Sequence, residues 1–196
     1  MLANYLKDYK IVLASGSPRR QNFFKELAIP FTIDPRPVDE RFDPNLKGTE
    51  ITDYLAQKKT TAFTDLDKNT IVVTSDTIVW HKNQALNKPK NKEEAFTMIT
   101  SLSGNTHEVM TSVCFTTAEK QLIINDTTKV TFKNLTTEEI NYYITNYQPY
   151  DKAGGYGIQE WFGYIAVTHI EGSYFNVMGL PMHKVYKTLM QLVNRD

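Results

Sequence analysis

Residues 70–80 read Thr-Ile-Val-Val-Thr-Ser-Asp-Thr-Ile-Val-Trp, a stretch rich in β-branched residues that contains one acidic residue. Its β-branched residues predict a buried strand from Thr70 to Ser75, which continues through residues 78–80. Asp76 interrupts the apolar run, either as a polar break in the strand or because the carboxylate has a chemical task. A charge is costly to bury without a task, and open α/β sheets bind ligands beyond the carboxyl ends of their strands. This favours Asp76 as a group that holds a divalent metal ion or accepts a proton from water.

Helix and strand patterns alternate on both sides of this strand. The other predicted elements are a strand at Ile11–Ala14, helices at Pro18–Leu27, Glu50–Phe63, Asn91–Leu102, Thr136–Tyr147 and from Pro181 onward, two antiparallel strands within 107–133, and strands near 163–170 and 173–178. Because a hairpin interrupts the alternation, we expect an α/β fold with a mixed sheet and not a purely parallel one. Residues 1–196 are expected to form a single domain, since a chain of this length forms one large domain or two small lobes.

The stretch Ser15-Gly16-Ser17-Pro18-Arg19-Arg20 lies between the first predicted strand and the first predicted helix. Ser17 suits the N-cap position and Pro18 the first helical position. Backbone N–H groups at a helix N-terminus favour a phosphate, Gly16 permits close approach, and two arginines can grip phosphate oxygens. A capped helix with two solvated arginines explains the same residues, and the motif alone leaves both interpretations open.

Other charged residues are ambiguous one by one. Glu40, Lys59 and Lys88, taken singly, are the kind of side chain that usually lies on a solvated surface. The segment Tyr150–Gln159 differs, because charge, glycine and aromatic residues crowd into ten positions. It indicates an ordered binding loop, with a structural turn as the competing interpretation. His107 is expected to cap a turn, with a phosphate or metal contact as the alternative.

Composition excludes several classes of protein. The 22 basic and 22 acidic residues cancel, so the broad positive field of proteins that bind nucleic acid polymers is absent. Neither a Walker A loop nor a Gly-x-Gly-x-x-Gly motif occurs. Cys114 is the only cysteine, so an intrachain disulfide is impossible and a buried, inert thiol is expected. With neither a signal peptide nor an apolar run of membrane-spanning length, we expect a cytoplasmic protein without a membrane partner.

These candidate residues belong to seven motifs that occur in order between residues 13 and 181. The motifs are Leu13–Arg20, Val38–Glu40, Ser75–Val79, Asn87–Pro89, Leu102–Gly104 with His107, Asp151–Gln159 and Val177–Pro181. Together they resemble the Maf (septum-formation-inhibitor-like) family of nucleotide pyrophosphatases over nearly the whole chain. Gly155 stands where the family more often has alanine.

The resemblance implies a twisted mixed sheet in two lobes with a central cleft, similar to inosine triphosphate pyrophosphatases. It also implies a Mg²⁺ or Mn²⁺ cofactor, held by Asp76 and Glu40, and hydrolysis of a small nucleoside triphosphate between its α and β phosphates. By the family pattern Asp76 is the proton acceptor. The same pattern places Ser15, Arg20, Glu40, Lys59 and Lys88 around the phosphates and the metal. Family members often dimerise, so a homodimer is an expected assembly.

Selectivity for the base is expected to depend on Arg19, Thr77 and Gln159, which match the branch of the family that acts on dTTP and UTP. The branch that acts on methylated GTP tends to carry tryptophan at the position of Arg19, which disfavours that activity here. A third possibility is a nucleotide-binding regulator of cell division and septum formation that acts through a partner. Because a pure binder needs no group that activates water, the presence of Asp76, Lys59 and Lys88 favours the enzyme.

Overall fold

The computed structural model describes residues 2–193 and contains helices and strands that alternate along the chain. The helices are α1 Leu2–Tyr5, α2 Pro18–Glu26, α3 Thr49–Thr60, α4 Lys92–Leu102, α5 Thr137–Tyr147, α6 Trp161–Ala166, α7 Tyr174–Val177 and α8 Met182–Val193. The strands are β1 Lys10–Leu13, β2 Thr32–Ile33, β3 Thr70–His81, β4 Gln84–Leu86, β5 Thr106–Thr116, β6 Gln121–Phe132 and β7 Val167–Glu171. The short elements α1, β2 and β4 were not predicted from the sequence.

The strands form one mixed sheet in the order β2-β1-β3-β5-β6-β7, with β4 paired to β3. β1 runs parallel to both β2 and β3, whereas the β3–β4 and β6–β7 pairs are antiparallel. The predicted α/β class with a mixed sheet is therefore confirmed.

The described residues divide into two compact units. Unit 1 comprises residues 2–76, 111–126 and 179–193, and unit 2 comprises Thr77–Met110 and Thr127–Met178. Each unit is assembled from separate stretches of the chain.

In unit 1 the parallel pairing of β1 with β3 positions the loop that follows β1. Ile11 lies opposite Ile71 and Leu13 opposite Val73, and the Ala14 N–H donates to the Val73 carbonyl at 2.9 Å. Helix α3 buries its apolar side, and its Ala56 carbonyl accepts a hydrogen bond from Thr74 Oγ1 at 2.6 Å. The end of β1, the middle of β3 and the C-terminal half of α3 therefore lie side by side.

In unit 2 two capped helices pack on a common core. Asn91 caps α4 by accepting from the Glu94 N–H, and Thr136 with Glu139 forms a capping box at the start of α5. Helix α4 contacts α5 and the short 3-10 helix Ala153–Gly155. Buried residues of this core include Val79, Ile99, Val130, Phe132, Ile140, Tyr143, Ile144, Tyr156, Ile158 and Phe162.

The prediction of a strand over residues 163–170 is wrong in its first half. Residues 161–166 form α6, and β7 begins at Val167. Phe162 and Ala166, four residues apart, share the buried side of the helix. The aromatic and β-branched composition concealed this helical spacing.

The strand predicted near 173–178 is also wrong, because this segment forms α7. Ser173 Oγ accepts from the Asn176 N–H at 3.3 Å and caps the helix. The buried Asn176 side chain donates to the Val109 carbonyl and to Thr128 Oγ1, both at 3.0 Å. These polar bonds outweigh the strand propensity of the neighbouring aromatic residues.

Cys114 is buried as predicted, and burial raises the pKa of its thiol. Among residues 2–193, the structure contains no helix long and apolar enough to cross a membrane.

Candidate active site

The loop Ser15–Arg20 connects β1 to α2 in unit 1, and hydrogen bonds to Ser15 stabilise it. The buried Ser15 accepts a hydrogen bond at Oγ from the Ser17 N–H at 3.2 Å, while Gln21 Nε2 donates to the Ser15 carbonyl at 3.1 Å. Ser17 is the N-cap and Pro18 opens the helix, as predicted. A Cβ atom added to Gly16 would meet no atom within 4 Å. The packing of the protein does not require glycine there, whereas close approach of a ligand to the backbone would.

Arg20 is anchored by two backbone carbonyl groups of unit 1. Its Nε donates to the Gly179 carbonyl at 2.9 Å and its Nη1 to the Ser75 carbonyl at 3.0 Å. Burial lowers the pKa of the guanidinium to about 10, an effect that the nearby Asp76 carboxylate opposes and Arg19 reinforces. Arg20 therefore remains charged at neutral pH, and Arg19 lies close to it.

Glu40, Lys59 and Asp76 meet in one cluster, here called the Lys59 cluster. Lys59 Nζ lies 2.6 Å from Asp76 Oδ1 and 3.0 Å from Glu40 Oε1, and donates to the Ser75 carbonyl at 3.4 Å. The side chains of Lys59 and Asp76 are 16% and 13% exposed, and that of Glu40 is 57% exposed. The cluster thus combines two charged side chains that are largely buried with one carboxylate that is exposed to solvent.

The donor set of this cluster fits a hard divalent cation. Mg²⁺ prefers oxygen ligands and is commonly held by one or two carboxylates together with substrate phosphates. Asp76 and Glu40, both drawn to the same Lys59 ammonium, supply two such carboxylates. Within residues 2–193, no group of three or more His, Cys, Asp or Glu residues could hold a metal by itself. Substrate oxygens would have to complete the coordination.

The remaining predicted site residues, Thr77, Lys88 and Gln159, belong to unit 2. Their segments converge on the glycine-rich loop after α5. The Asn87 carbonyl, next to Lys88, accepts from the Gly154 N–H at 3.2 Å. A Cβ on Gly154, whose φ is +69°, would lie 2.8 Å from a methyl carbon of Val79, two residues after Thr77. The structure therefore gathers five of the predicted residues and Arg19 in unit 1, and the segments of the other three around one loop in unit 2.

A second cluster of charges holds that loop, and sequence reasoning missed two of its members. Lys152 Nζ lies 2.7 Å from Asp151 Oδ1 and 3.1 Å from Glu160 Oε1. The Tyr143 hydroxyl donates to Glu160 Oε2 at 2.5 Å and accepts from the Gly157 N–H at 2.9 Å. We call Tyr143, Lys152 and Glu160, with Asp151, the Lys152 network. A carboxylate directly after Gln159 was the available signal, but nothing in the sequence shows that Tyr143 reaches it.

His107 does not cap a turn, so that expectation is wrong. The side chain is buried, its Nε2 lies 2.7 Å from the Tyr156 hydroxyl, and its ring packs against Phe132 and Tyr156. Burial, and secondarily the nearby His81, lowers the pKa of His107 to about 3. The residue is a neutral part of the unit 2 core.

Comparison with known proteins extends these observations. The chain is 61% identical over 194 residues to a Flavobacterium johnsoniae protein named dTTP/UTP pyrophosphatase, covering 98% of this chain and 100% of that protein. A Christiangramia forsetii protein of the same name is 57% identical over 195 residues, covering 99% of this chain and 100% of that protein.

Similarity of fold reaches further than similarity of sequence. The structure of the Staphylococcus aureus Ham1 protein superposes with a TM-score of 0.52 at 13% identity, covering 93% of this chain and 99% of that one. This likeness concerns the fold alone and agrees with the class expected from the sequence. The model of the Maf-like protein family matches residues 10–192, and the chain belongs to that family.

Proposed function

We propose that this protein is a nucleoside triphosphate pyrophosphatase that hydrolyses dTTP and UTP to the monophosphate and pyrophosphate. The observation that carries the proposal is the Lys59 cluster, in which Lys59 Nζ lies within 3.0 Å of both Glu40 and Asp76. Relatives at 61% and 57% identity that carry the name dTTP/UTP pyrophosphatase support the same activity.

The proposed reaction uses residues of unit 1 as follows. Asp76 accepts the proton of the attacking water, whose oxygen bonds to the α phosphorus while the bond to the α–β bridging oxygen breaks and pyrophosphate leaves. Charge grows on the phosphate oxygens during this step, and fixed cations stabilise it. Lys59 and Arg20 supply such charges, and Ser15 and Gly16 let the loop approach an oxygen. Glu40 assists in orienting the water.

We also propose that activity requires Mg²⁺ or Mn²⁺. Asp76 and Glu40 would hold the cation, because one carboxylate oxygen of each lies within 3.0 Å of the same ammonium group, so the two carboxylates are close together. The bound cation would supply Lewis-acid stabilisation of the phosphate charge.

In unit 2 we assign Lys88 to the phosphates and Thr77 and Gln159, together with Arg19 of unit 1, to the choice of base. Gln159 offers both a donor and an acceptor, which matches the carbonyl and imide edge that thymine and uracil share. A site built on such bonds rejects ligands that leave its polar groups unpaired. The regulator of septum formation is not favoured, because the relatives are named for catalysis. The cytoplasmic location and the homodimer stay predictions.

Pyrophosphate release across a panel of dTTP, UTP, ATP, GTP and methylated GTP tests the proposal. We expect the monophosphate and pyrophosphate as products, with the highest kcat/KM for the two pyrimidine nucleotides. Activity should disappear in excess chelator and return when Mg²⁺ or Mn²⁺ is restored.

Each part of the proposal can fail by itself. Orthophosphate as the primary product would reject the pyrophosphatase, and full activity in chelator would reject the metal requirement. A purine nucleotide hydrolysed faster than dTTP and UTP would reject only the selectivity.

A further inference from the structure

The Lys152 network surrounds the segment that carries Gln159. Gly157 and Glu160, which flank residues 158 and 159, are both bound to the same Tyr143 hydroxyl, one through its N–H at 2.9 Å and the other through Oε2 at 2.5 Å. One atom of α5 therefore fixes both ends of a four-residue segment.

The packing leaves this segment little freedom. A Cβ on Gly157 would lie 2.7 Å from Glu160 Cδ and 3.0 Å from Lys152 Cε, so the backbone is in close contact with the ion pair. Tyr143 is fully buried, with its ring 4.8 Å from Phe162 and 5.2 Å from Tyr147 between centroids. The hydroxyl is thus held by the core and not by a mobile side chain.

The ion pairs of the network are needed to compensate the charge of a largely buried lysine. The Lys152 side chain is 9% exposed, and a buried ammonium without a partner is strongly unfavourable. Asp151, 60% exposed, and Glu160, 21% exposed, compensate it. Burial and the Glu160 carboxylate raise the pKa of Tyr143 above its usual range, so its hydroxyl keeps its proton.

We propose that Tyr143, Lys152 and Glu160 are positioning residues for nucleotide selectivity, because they fix the backbone on which Gln159 is presented. The inference rests on the proposed function, in which Gln159 contacts the base. Removing the Tyr143 hydroxyl leaves the groups of unit 1 in place but frees the Gln159 segment. Base selectivity should fall, while the rate of the chemical step on a bound nucleotide is retained.

The test compares Tyr143→Phe with the wild type on UTP and ATP. We expect the ratio of their kcat/KM values to fall about tenfold, chiefly through a higher KM for UTP, because one hydroxyl bonded to a charged group is lost. kcat on saturating UTP should change less than about threefold. Tyr147→Phe is the matched control, since Tyr147 lies on the same helix, stacks on Tyr143 and has its hydroxyl outside the network.

A double-mutant cycle with Gln159→Ala separates positioning from general damage. If the network acts through Gln159, Tyr143→Phe should change selectivity less than about twofold once Gln159 is alanine. An equal loss in both backgrounds, or full selectivity in Tyr143→Phe alone, overturns the inference while the proposed function stands. A wild type that releases pyrophosphate from none of the nucleotides overturns both. If Tyr143→Phe does not fold, Glu160→Gln, which keeps the shape and removes the charge, is measured in the same cycle against the same criteria.

Discussion

Each unit of this protein contains a lysine between two carboxylates, and the two sites share nearly the same geometry. Lys59 lies 2.6 and 3.0 Å from Asp76 and Glu40, and Lys152 lies 2.7 and 3.1 Å from Asp151 and Glu160. In both sites one carboxylate is largely buried and the other is more than half exposed.

The sites differ in the groups that surround the lysine. Around Lys59 are a second cation, Arg20, and the Ser75 carbonyl, to which both cations donate. Near Lys152 the Tyr143 hydroxyl donates to the buried Glu160 carboxylate and accepts from the Gly157 N–H, so it links that carboxylate to the backbone. In our proposals, three such charges take part in catalysis where a further cation joins them, and they position a loop where neutral groups complete the network. Distances within an ion pair do not distinguish the two uses.

The largest expected effect tests the catalytic role proposed for the Lys59 cluster. Asp76→Asn should lower kcat by about 10²–10⁴-fold, because asparagine keeps the shape but cannot accept the proton of water. The protein should remain folded, because Lys59 keeps its ion pair with Glu40. Stopped reactions with dTTP give kcat, and circular dichroism checks the fold.

The control for this change is Asp67→Asn, which removes an exposed carboxylate of unit 1 shortly before β3. It should leave kcat within about twofold of the wild type. A drop below about tenfold in Asp76→Asn would show that the Lys59 cluster is structural, like the Lys152 network.

The next effect concerns His107, whose protonated form is disfavoured by burial in unit 2. The pKa of His107 is lowered by burial to about 3, from an ordinary 6.5, so the unfolded chain takes up the proton first as the pH falls. The contribution of His107 to the free energy of unfolding is fully present above pH 6.5, and it is lost as the pH falls toward 3. Between pH 6 and pH 4 the loss should amount to about 2–3 kcal/mol, because each pH unit in this range costs at most roughly 1.4 kcal/mol.

Urea unfolding at pH 6 and pH 4 measures this effect. His107→Gln should lose less stability than the wild type over that range, since glutamine binds no proton. His169→Gln, on exposed β7, is the control and should keep the full pH dependence. If His107→Gln loses as much stability as the control, unit 2 tolerates an unpaired charge and the contrast with paired Lys152 disappears.

The smallest effect concerns Lys88, a cation of unit 2 that lies outside the Lys152 network. Lys88→Ala should lower kcat/KM by about tenfold for every nucleoside triphosphate, because it removes the charge-assisted contact to a phosphate that we propose for Lys88. Lys90→Ala removes an exposed lysine two residues away and should change kcat/KM less than about twofold. A change of base preference in Lys88→Ala would place this residue with Gln159 in the choice of base.

The fold was largely predictable where local signals and burial agree. The apolar strand β3 and the helices α4 and α5 all appear where they were expected. Residues 161–166 and 173–178 were not predictable, because there local composition favours strands while tertiary contacts decide the outcome. The hydrogen bonds of Asn176 to two other segments are an example of such contacts.

The sequence selected the candidate site residues, but it could not predict how they are arranged. Motif resemblance selected Glu40, Lys59 and Asp76, which the structure brings together around one ammonium group. The sequence could not show that Arg20 is anchored by the carbonyls of Ser75 and Gly179, because every residue has a carbonyl group and only the fold selects these two.

The interrupted course of the chain has a consequence for biosynthesis. Unit 2 has all its residues once Met178 has been added, whereas unit 1 still requires the segment that begins at Gly179. That segment supplies helix α8, which contacts α1, and the carbonyl that binds Arg20 at 2.9 Å. Domains generally fold from the N-terminus onward as the ribosome makes them. Here the unit with the earliest residues is the last to have all its parts, and Arg20 of the Ser15–Arg20 loop gains its second backbone anchor only when Gly179 has been translated.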